Sequence, residues 1–257
     1  MPSKSNVALT PFLLLRLWGP MASWGDIAVG ERRGTWNRPS RSAVLGLVAG
    51  CLGHERTDRA AHDRLEHGLG FAVRVDDPGH PLRDYHTAQS PGEQRGKRWA
   101  TRRDELADPR NLNTSLSERT YQLEMNALIV LWRRTDVDVP TLNEISARLT
   151  EPIFAPYLGR KSCPLGLPLM PRLVEAANPV AALSAYDAQS LDEHQYPLPR
   201  NRWREKHRSE LWLDADDAHA FGLKADIRTV RRDRVRDRPR WLFADRAEAR
   251  IDEENLP

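Results

Sequence analysis

The sequence predicts an α+β fold, because a strand followed by a helix occurs twice along the chain, with a long polar insertion between the two halves. Continuous apolar runs mark the first strand of each half, over 7–17 and 121–132, and such runs are typical of buried strands. Each run is followed by a segment with helical start signals, at Ser40 and at Pro140. The chain has 257 residues, which is enough to bury a substantial core.

The first half is predicted to contain a strand, two helices and a second strand. After the strand over 7–17, Ser40 suits a helix N-cap and Gly53 suits the end of the same helix. Apolar residues at helical spacing lie between them: Val44, Leu45, Leu47, Val48, Cys51 and Leu52. A second helix fits DRAAHDRLEHG, which ends at Gly68, and FAVRVD then alternates as a strand does. The residues of this strand that share one face are Phe71, Val73 and Val75.

Residues 77–120 form an insertion of different character, rich in Gly, Pro, Asn, Ser and charged residues. A structureless loop of about forty residues is unusual in a compact domain, so we expect a projecting hairpin or arm. The strand over 121–132 follows, then a helix over 140–151 that stops before Pro152, and one further strand is expected near 166–176. The order βαββαβ, with the insertion between the second and third strands, is the ferredoxin-like arrangement.

The segment 187–257 is predicted to be a basic, β-rich extension of the same single domain. HRSELWLDAD and RPRWLFAD are typical of strands, and the connection between them, which contains IRTVRRDRVRD, is very basic. The final residues, DEENLP, are expected to fray. We expect the basic segment to contact another subunit or a nucleic acid.

The charge balance permits a nucleic-acid partner. The net charge is +3, the isoelectric point is about 9.0, and the cations are 34 Arg against 5 Lys. Arginine offers a planar fork of donors that suits phosphate and stacks on bases, whereas lysine is a point charge. A GC-rich genome would produce the same bias, so the composition does not require such a partner.

No metal or cofactor is expected. Cys51 and Cys163 lie far apart and outside any CxxC or Cys/His spacing, which argues against a zinc site and a disulfide scaffold. GxxxxGK[ST] does not occur, and no GxGxxG follows the first strand. The apolar start, VALTPFLLLRLW, is interrupted by Pro11 and Arg16 and is too short to span a membrane, so a cytoplasmic protein is predicted.

The loop between the first strand and the first helix, residues 18–40, is expected to bind an anion. The first helical turn offers free backbone N–H groups and the positive end of the helix dipole. The residues that add hydroxyls or charge there are Arg38, Ser40, Arg41 and Ser42. Trp18, Trp24 and Trp36 favour a single-stranded nucleic acid, whose bases stack on aromatic rings. The alternative is that Ser40 only caps the helix and that the arginines are solvated.

Two further clusters combine cations with aromatic side chains. In the insertion, cations surround Tyr85, His86 and Trp99. These cations are Arg83, Arg95, Lys97, Arg98, Arg102 and Arg103. In PYLGRKSCPLGLP, residues 156–168, Gly159 permits a tight turn beside a small anion-seeking group. That group consists of Tyr157, Arg160, Lys161 and Ser162. Acidic residues are mixed into the insertion, so a solvated, salt-bridged arm is the alternative there.

Catalysis is the second interpretation of the insertion. A metal-independent ribonuclease needs a general base, a general acid and cations that stabilise the phosphorane. His86, Tyr85 and a lysine could supply these parts. A lone histidine in a basic loop is more often a binding residue, and the sequence has no HxxxH, HxH or GxSxG pattern.

Four motifs occur in order along the chain: GPMASWG, RPSRSAVLGLVAGCLG, RDYHT and PYLGRKSCPL. Together they resemble the Cas5 family, part of the RAMP superfamily of CRISPR-associated proteins, in its type I-E form, from residue 7 to about residue 186. The resemblance implies a ferredoxin-like RAMP fold, related to the RNA-recognition motif, with a β-hairpin thumb inserted at 77–120. It also implies a subunit of the antiviral Cascade complex that caps the 5′ handle of the crRNA. Such a subunit contacts the backbone subunit and the large subunit, and meets target DNA only through the complex.

The resemblance and the clusters together indicate which residues lie near the RNA. They are Ser23, Trp24, Arg38, Arg41, Ser42, Tyr85, His86, Thr87, Arg95, Lys97, Arg98, Tyr157, Arg160, Lys161 and Ser162. No catalytic residue is implied, because a separate subunit cuts the precursor RNA in type I-E systems. Cas5 proteins of type I-C systems cut it themselves, so a metal-independent endoribonuclease is the alternative.

Overall fold

The computed structural model describes residues 9–28, 30–93, 96, 98–134, 138–188 and 209–252. The strands are β1 Thr10–Trp18, β2 Met21–Ala22, β3 Arg32–Arg33, β4 Leu69–Asp77, β5 His80–Pro91, β6 Leu112–Leu123, β7 Asn126–Arg133, β8 Arg172–Ala176, β9 Glu210–Asp214, β10 Ile227–Asp237 and β11 Leu242–Asp252. The helices are α1 Arg41–Cys51, α2 Arg59–Gly68, α3 Arg102–Glu105, α4 Leu142–Thr150, α5 Pro179–Ala188 and α6 Ala215–Ala220, with a 3-10 turn at Pro109–Asn111. None of the helices described is long and apolar enough to cross a membrane.

The main sheet is antiparallel and has seven strands in the order β10-β11-β9-β4-β7-β1-β8. The strands of the two sequence halves lie side by side as β4-β7-β1-β8, although β8 occupies only the end of the expected range 166–176. The last three strands extend the sheet beyond β4. The fold is therefore α+β and rich in antiparallel strands.

The first strand is buried on both faces, which explains why apolar residues occupy both faces of its central part. Leu13, Leu15 and Leu17 belong to the core cluster that contains the buried sides of α1 and α4. Phe12 and Leu14 belong to a second cluster that contains the buried side of α5. The sheet is therefore covered by helices on both faces.

The strand FAVRVD lies in β4, and the residues predicted to share one of its faces do so. Phe71, Val73 and Val75 lie in the first core cluster, and Ala72 lies in the second. The alternation seen in the sequence therefore separates two core faces rather than a core face and a solvent face.

The three longer helices of the N-terminal part begin near their predicted positions, because their caps are local. Ser40 Oγ accepts a hydrogen bond from the Ala43 N–H at 3.2 Å, and the Asp58 carboxylate caps α2 in the same way. Thr141 and Glu144 form a capping box at the start of α4. These signals need no partner from another part of the chain.

The strand predicted over 121–132 is in fact the end of one strand and most of the next. β6 ends just before Glu124, which has a left-handed φ of 57°, and β7 begins two residues later. Tyr121 and Met125, on either side of this reversal, both reach the same core cluster. Hydropathy alone therefore gives no sign of the turn.

The insertion contains a long antiparallel hairpin of β5 and β6, paired from His80 with Leu123 to Pro91 with Leu112. None of the described residues between 92 and 111 belongs to either core cluster. The other edge of β6 carries β2 and β3, which come from the loop after β1. This second sheet ties the first loop to the base of the hairpin.

The C-terminal third corrects the prediction of two strands joined by a basic connection. β9 and β11 are the predicted strands, but the connection contains α6 and the edge strand β10, IRTVRRDRVRD. Hydropathy does not indicate this strand, because the residues it buries include Arg231 and Asp233, whose charged groups lie 3.7 Å apart. In the predicted tail, Asp252 ends β11, and residues 253–257 lie outside the described residues.

Candidate nucleic-acid interface

Three segments that are distant in sequence meet beyond the end of β1. The loop after β1 pairs with the base of the hairpin through β2 and β6. The loop 156–168 joins them, because the Ser23 N–H donates to the Leu158 carbonyl (3.0 Å) and the Gly166 N–H donates to the Trp18 carbonyl (2.9 Å). The loop after β1, the base of the hairpin and the loop 156–168 thus adjoin one another in the folded chain.

Gly159 makes this close approach possible. Its φ of 84° lies in the left-handed region that favours glycine, and a Cβ at this position would overlap the Ser23 carbonyl oxygen. The Leu158 N–H donates to the Cys163 carbonyl at 2.7 Å and closes the turn. The tight turn predicted at Gly159 is confirmed.

Arg160 links the three segments. Its guanidinium donates to the Thr120 carbonyl at 3.3 Å and to the Arg33 carbonyl at 3.2 Å. It also lies 4.9 Å from the ring centre of Tyr121. A guanidinium carries more N–H groups than these two bonds use, so this half-buried side chain can hold the loops together and still donate to a phosphate.

Exposed side chains of the loop 156–168 and of the hairpin combine flat faces, hydroxyls and positive charge. Tyr157 is 40 % exposed, and Lys161 and Ser162 are exposed on the same loop. On β5, Tyr85 is 66 % exposed, and Thr87 lies two residues further along the same face. These are the group types that bind single-stranded nucleic acid.

His86 is half-exposed and is hydrogen-bonded to the carboxylate of Asp84. Successive strand residues point to opposite faces, so His86 and Tyr85 point away from each other. In the catalytic alternative, both side chains must contact the same phosphate of the RNA. Two side chains on opposite faces of a strand are poorly placed to do so. Of the other insertion cations assigned to the RNA, Arg98 is exposed, and Arg95 and Lys97 lie outside the described residues.

The helix N-terminus expected to hold an external anion is occupied by the protein's own carboxylate. The Arg41 N–H donates to Asp233 Oδ2 at 2.9 Å, across 192 positions of the chain. A negative charge is stabilised at this end of a helix, so the expected charge is present but comes from β10. The expectation of an RNA phosphate at this turn is therefore corrected.

Arg41 itself is 1 % exposed. Its guanidinium donates to Glu66 Oε1 at 2.9 Å and to the carbonyls of Glu66 and Leu69 at 2.6 and 2.8 Å. It also lies 3.8 Å from the Asp214 carboxylate. The structure gives Arg41 a structural role in place of the expected RNA contact.

Arg38 is buried in a similar way. Its guanidinium lies 3.6 Å from the ring centre of Trp212 and 5.1 Å from that of Trp36, and it is ion-paired with Glu248. The guanidinium of Arg231 also lies over the Trp36 ring, 4.8 Å from its centre. The Trp36 ring was expected to stack on an RNA base. In the structure, its partners are two arginine side chains of the protein itself.

Ser23, Trp24 and Ser42 are buried as well. The Ser23 hydroxyl donates to the Thr120 carbonyl at 3.3 Å, and the Trp24 ring N–H lies 2.7 Å from the Met125 sulfur. These side chains shape the first loop from the inside, so the exposed part of the interface comes from the hairpin and from the loop 156–168.

Arg246 is the centre of a buried ion cluster that joins β9, β10 and β11. It donates to Asp233 at 2.7 Å, to Asp214 at 2.6 Å and to Glu248 at 2.9 Å. Burial alone would lower the pKa of Arg246, but these carboxylates raise it above its ordinary value. Burial would likewise raise the pKa of Asp214, but Arg41 and Arg246 hold it below its ordinary value. Arg246 and Asp214 therefore stay ionised, at a desolvation cost that is offset only while their partners remain in place.

Sequence reasoning missed two cations of the second sheet. Arg33 and Arg119 are paired in register across β3 and β6, and neither has an ion-pair partner within the part of the chain that the structure describes. The sequence contains a basic segment, ERR at residues 31–33, that could have indicated these cations. Only the pairing of β3 with β6 shows that this segment lies beside the hairpin.

The described ranges contain no group of three His, Cys, Asp or Glu side chains able to hold a metal ion. Cys51 and Cys163 are free and buried. Burial raises the pKa of the Cys51 thiol to about 11, so this group is protonated and unreactive near neutral pH.

Comparison with known proteins identifies relatives of this chain. Residues 12–246 match the family model for the CRISPR-associated protein Cas5. The chain is 32% identical over 184 residues to the CRISPR system Cascade subunit CasD of Escherichia coli (strain K12), which covers 68% of this chain and 77% of CasD. A chain of a CRISPR RNA-guided surveillance complex has a TM-score of 0.58 and 26% identity, covering 94% of this chain and 89% of that chain.

The crystal structure of a Cas protein shows likeness of fold alone, with a TM-score of 0.54 and 21% identity over 96% of this chain and 97% of that one. The family match, in contrast, extends over most of the sequence, and the identity to CasD is spread over two thirds of it. The chain belongs to the Cas5 family of CRISPR-associated proteins.

Proposed function

We propose that this protein is a non-catalytic RNA-binding subunit of a type I-E Cascade complex and that it holds the 5′ handle of the crRNA. The observation that carries the proposal is the junction at Arg160, which ties the loop that exposes Tyr157 and Lys161 to the hairpin that exposes Tyr85. The relatives of this chain, a Cascade subunit and a chain of an RNA-guided surveillance complex, support an assembly of this kind.

The fold supports the proposal in a second way. The strand order β4-β7-β1-β8, with helices connecting β1 to β4 and β7 to β8, is the order expected of a ferredoxin-like RAMP core. We take the chain as one such domain, in which the hairpin at 77–120 is the thumb and the segment 187–257 is an extension that widens the sheet. The thumb is directed to the backbone subunit, and the large subunit and target DNA are reached through the complex.

The proposal is tested by titrating a labelled RNA that carries the repeat's 5′ handle with the full-length chain, followed by a denaturing gel of the same RNA. We expect binding that weakens with salt, because phosphate contacts release counterions, and intact RNA. Equal affinity for a scrambled RNA would contradict handle recognition. Cleavage without added metal, lost in His86→Ala, would establish the endoribonuclease instead.

Replacing Lys161 with alanine is expected to weaken binding of the handle RNA and to flatten its salt dependence. The loss of one phosphate contact reduces the slope of log K against log salt by about 0.7 for a single strand. Lys224→Ala is the matched control, because Lys224 is also exposed but adjoins Leu223, which packs with the core cluster on the other face of the sheet. If the salt dependence of RNA binding is unchanged in Lys161→Ala, this loop is not part of the interface.

The tip of the hairpin is expected to serve assembly rather than stability. Replacing residues 92–111 with Asn-Gly would join Pro91 to Leu112, which are already paired, through a two-residue turn suited to a hairpin. The free energy of unfolding is expected to change by no more than about 2 kcal/mol, the loop-closure effect of a tenfold shorter connection, while incorporation into a complex reconstituted with the backbone subunit is lost. Unfolding of this variant, or normal incorporation, would contradict the thumb assignment.

A further inference from the structure

The turn between β10 and β11 exposes a tryptophan on a strained backbone. Trp241 is 56 % exposed, and its φ of 55° lies in the left-handed region, which is unfavourable for a bulky side chain. Folding stability would favour a glycine or an asparagine here. Strain of this kind is often retained at sites that bind a ligand.

Arginines surround the exposed ring. The Arg238 and Arg56 guanidinium groups lie 5.4 and 5.7 Å from its centre, and Arg240 is 73 % exposed beside it. The nearby carboxylate of Asp237 is paired with Arg59 at 3.0 Å. The surface around the ring therefore carries a net positive charge.

The tip is fixed in position on α1. Arg238 donates to the Ser42 carbonyl at 3.0 Å, and its guanidinium packs against Gly46, where a Cβ would overlap it. The absence of a side chain at Gly46 leaves room for this guanidinium. The ring of Trp241 is thus presented by a rigid hairpin rather than by a loose loop.

The tip also adjoins the candidate interface. Phe154, from the same loop as Tyr157, is 46 % exposed, and its N–H donates to the Gly50 carbonyl of α1 at 3.2 Å. The loop and the tip therefore pack on the same helix.

We propose that the tip of the β10–β11 hairpin is a stacking subsite for single-stranded RNA, in which one base lies on Trp241 and Arg56, Arg238 and Arg240 neutralise the adjoining phosphates. This inference rests on the proposed function and extends its interface beyond Tyr157. The positive charge around the ring favours RNA over an apolar protein surface as the occupant. A ring flanked by guanidinium groups is the arrangement that binds bases without regard to their identity.

The test uses the full-length chain and the handle RNA described above. Trp241→Ala is expected to raise the Kd about 5- to 100-fold, the range for loss of one stacked base, while leaving the salt slope unchanged. Trp241→Phe is expected to keep most of the affinity. Val230→Ala, another exposed apolar residue of the same hairpin at 62 % exposure, is the control and should bind as the wild type does.

An abasic scan of the RNA identifies the stacked base. One abasic position should weaken wild-type binding as much as Trp241→Ala does, and the two changes combined should weaken it no further. Trp241→Gly separates binding from folding, because glycine accepts the left-handed φ at little cost. This variant should bind as weakly as Trp241→Ala while its Tm equals or exceeds that of the wild type.

Three results would overturn the subsite. If Trp241→Ala binds normally while Lys161→Ala is weakened, the tip is not part of the interface but the proposed function stands. If Trp241→Ala binds RNA normally but fails to enter the complex, the tip contacts a protein. If the wild-type chain does not bind the handle RNA at all, the proposed function and the subsite fail together.

Discussion

Replacing Arg41 with alanine is expected to lower the free energy of unfolding by about 3–5 kcal/mol, the effect of removing one partner from a buried ion pair. The change leaves the Glu66 carboxylate, which is 2 % exposed, without its nearest cation. It also removes the donor to the Glu66 and Leu69 carbonyls and one of the cations near Asp214. A buried polar group without its partner costs more than the hydrogen bond itself contributes.

Urea unfolding of Arg41→Ala, followed by two spectroscopic probes, gives the measurement. Arg240→Ala is the matched control, because Arg240 is 73 % exposed and its pair with Asp237, at 3.7 Å, is solvent-screened. We expect that control to change the free energy of unfolding by less than about 1 kcal/mol. A stable Arg41→Ala variant that has lost RNA binding would restore Arg41 to the interface and refute its structural role.

Gly159→Ala is expected to displace the loop 156–168 and to reduce affinity for the handle RNA at least about tenfold, equivalent to 1.4 kcal/mol. An L-residue at a left-handed φ costs roughly 1–2 kcal/mol, and here the added Cβ also overlaps the Ser23 carbonyl oxygen. Backbone must therefore move at the point where the two loops are joined. Arg160 would then lose its alignment with Thr120.

Gly222→Ala is the control that separates strain from overlap. Gly222 also has a left-handed φ, of 66°, but a Cβ there would meet no atom within 4 Å. Both variants should lose stability, and only Gly159→Ala should lose RNA affinity at a temperature where both are folded. Equal affinities for the two variants would show that the junction of the loops does not shape the interface.

Local signals placed the starts of α1, α2 and α4 correctly, whereas α3, α5 and α6 were not predicted. The hydroxyl of Ser40 and the capping box of Thr141 and Glu144 act within one turn of the chain, so the sequence contains everything needed to locate these helix starts. The strand FAVRVD was assigned equally well, since its side chains alternate between two faces. The turn at Glu124 was missed because its flanking residues enter one core.

Buried arginines were the main failure of the sequence reading. Arg38 and Arg41 have the pattern expected of a phosphate site, and in the structure they bind Glu248 and Glu66. Nothing near them in sequence reveals these carboxylates, one of which lies 210 positions away. A charged residue is assigned to the surface by default, because burial is costly unless a partner is supplied.

The sequence by itself determined the starts of α1, α2 and α4, the strands β1 and β4, the presence of a long insertion, and the family to which the chain belongs, because caps, periodicity and short motifs are local properties. Only the tertiary structure decided which cations face solvent. Arg41 is internal because β10 and α2 bring carboxylates to it, whereas Lys161 remains exposed on a loop that Gly159 allows to pack against the hairpin. Ion pairing between distant segments sets this division, since a buried charge is tolerated only where the fold provides its counterion.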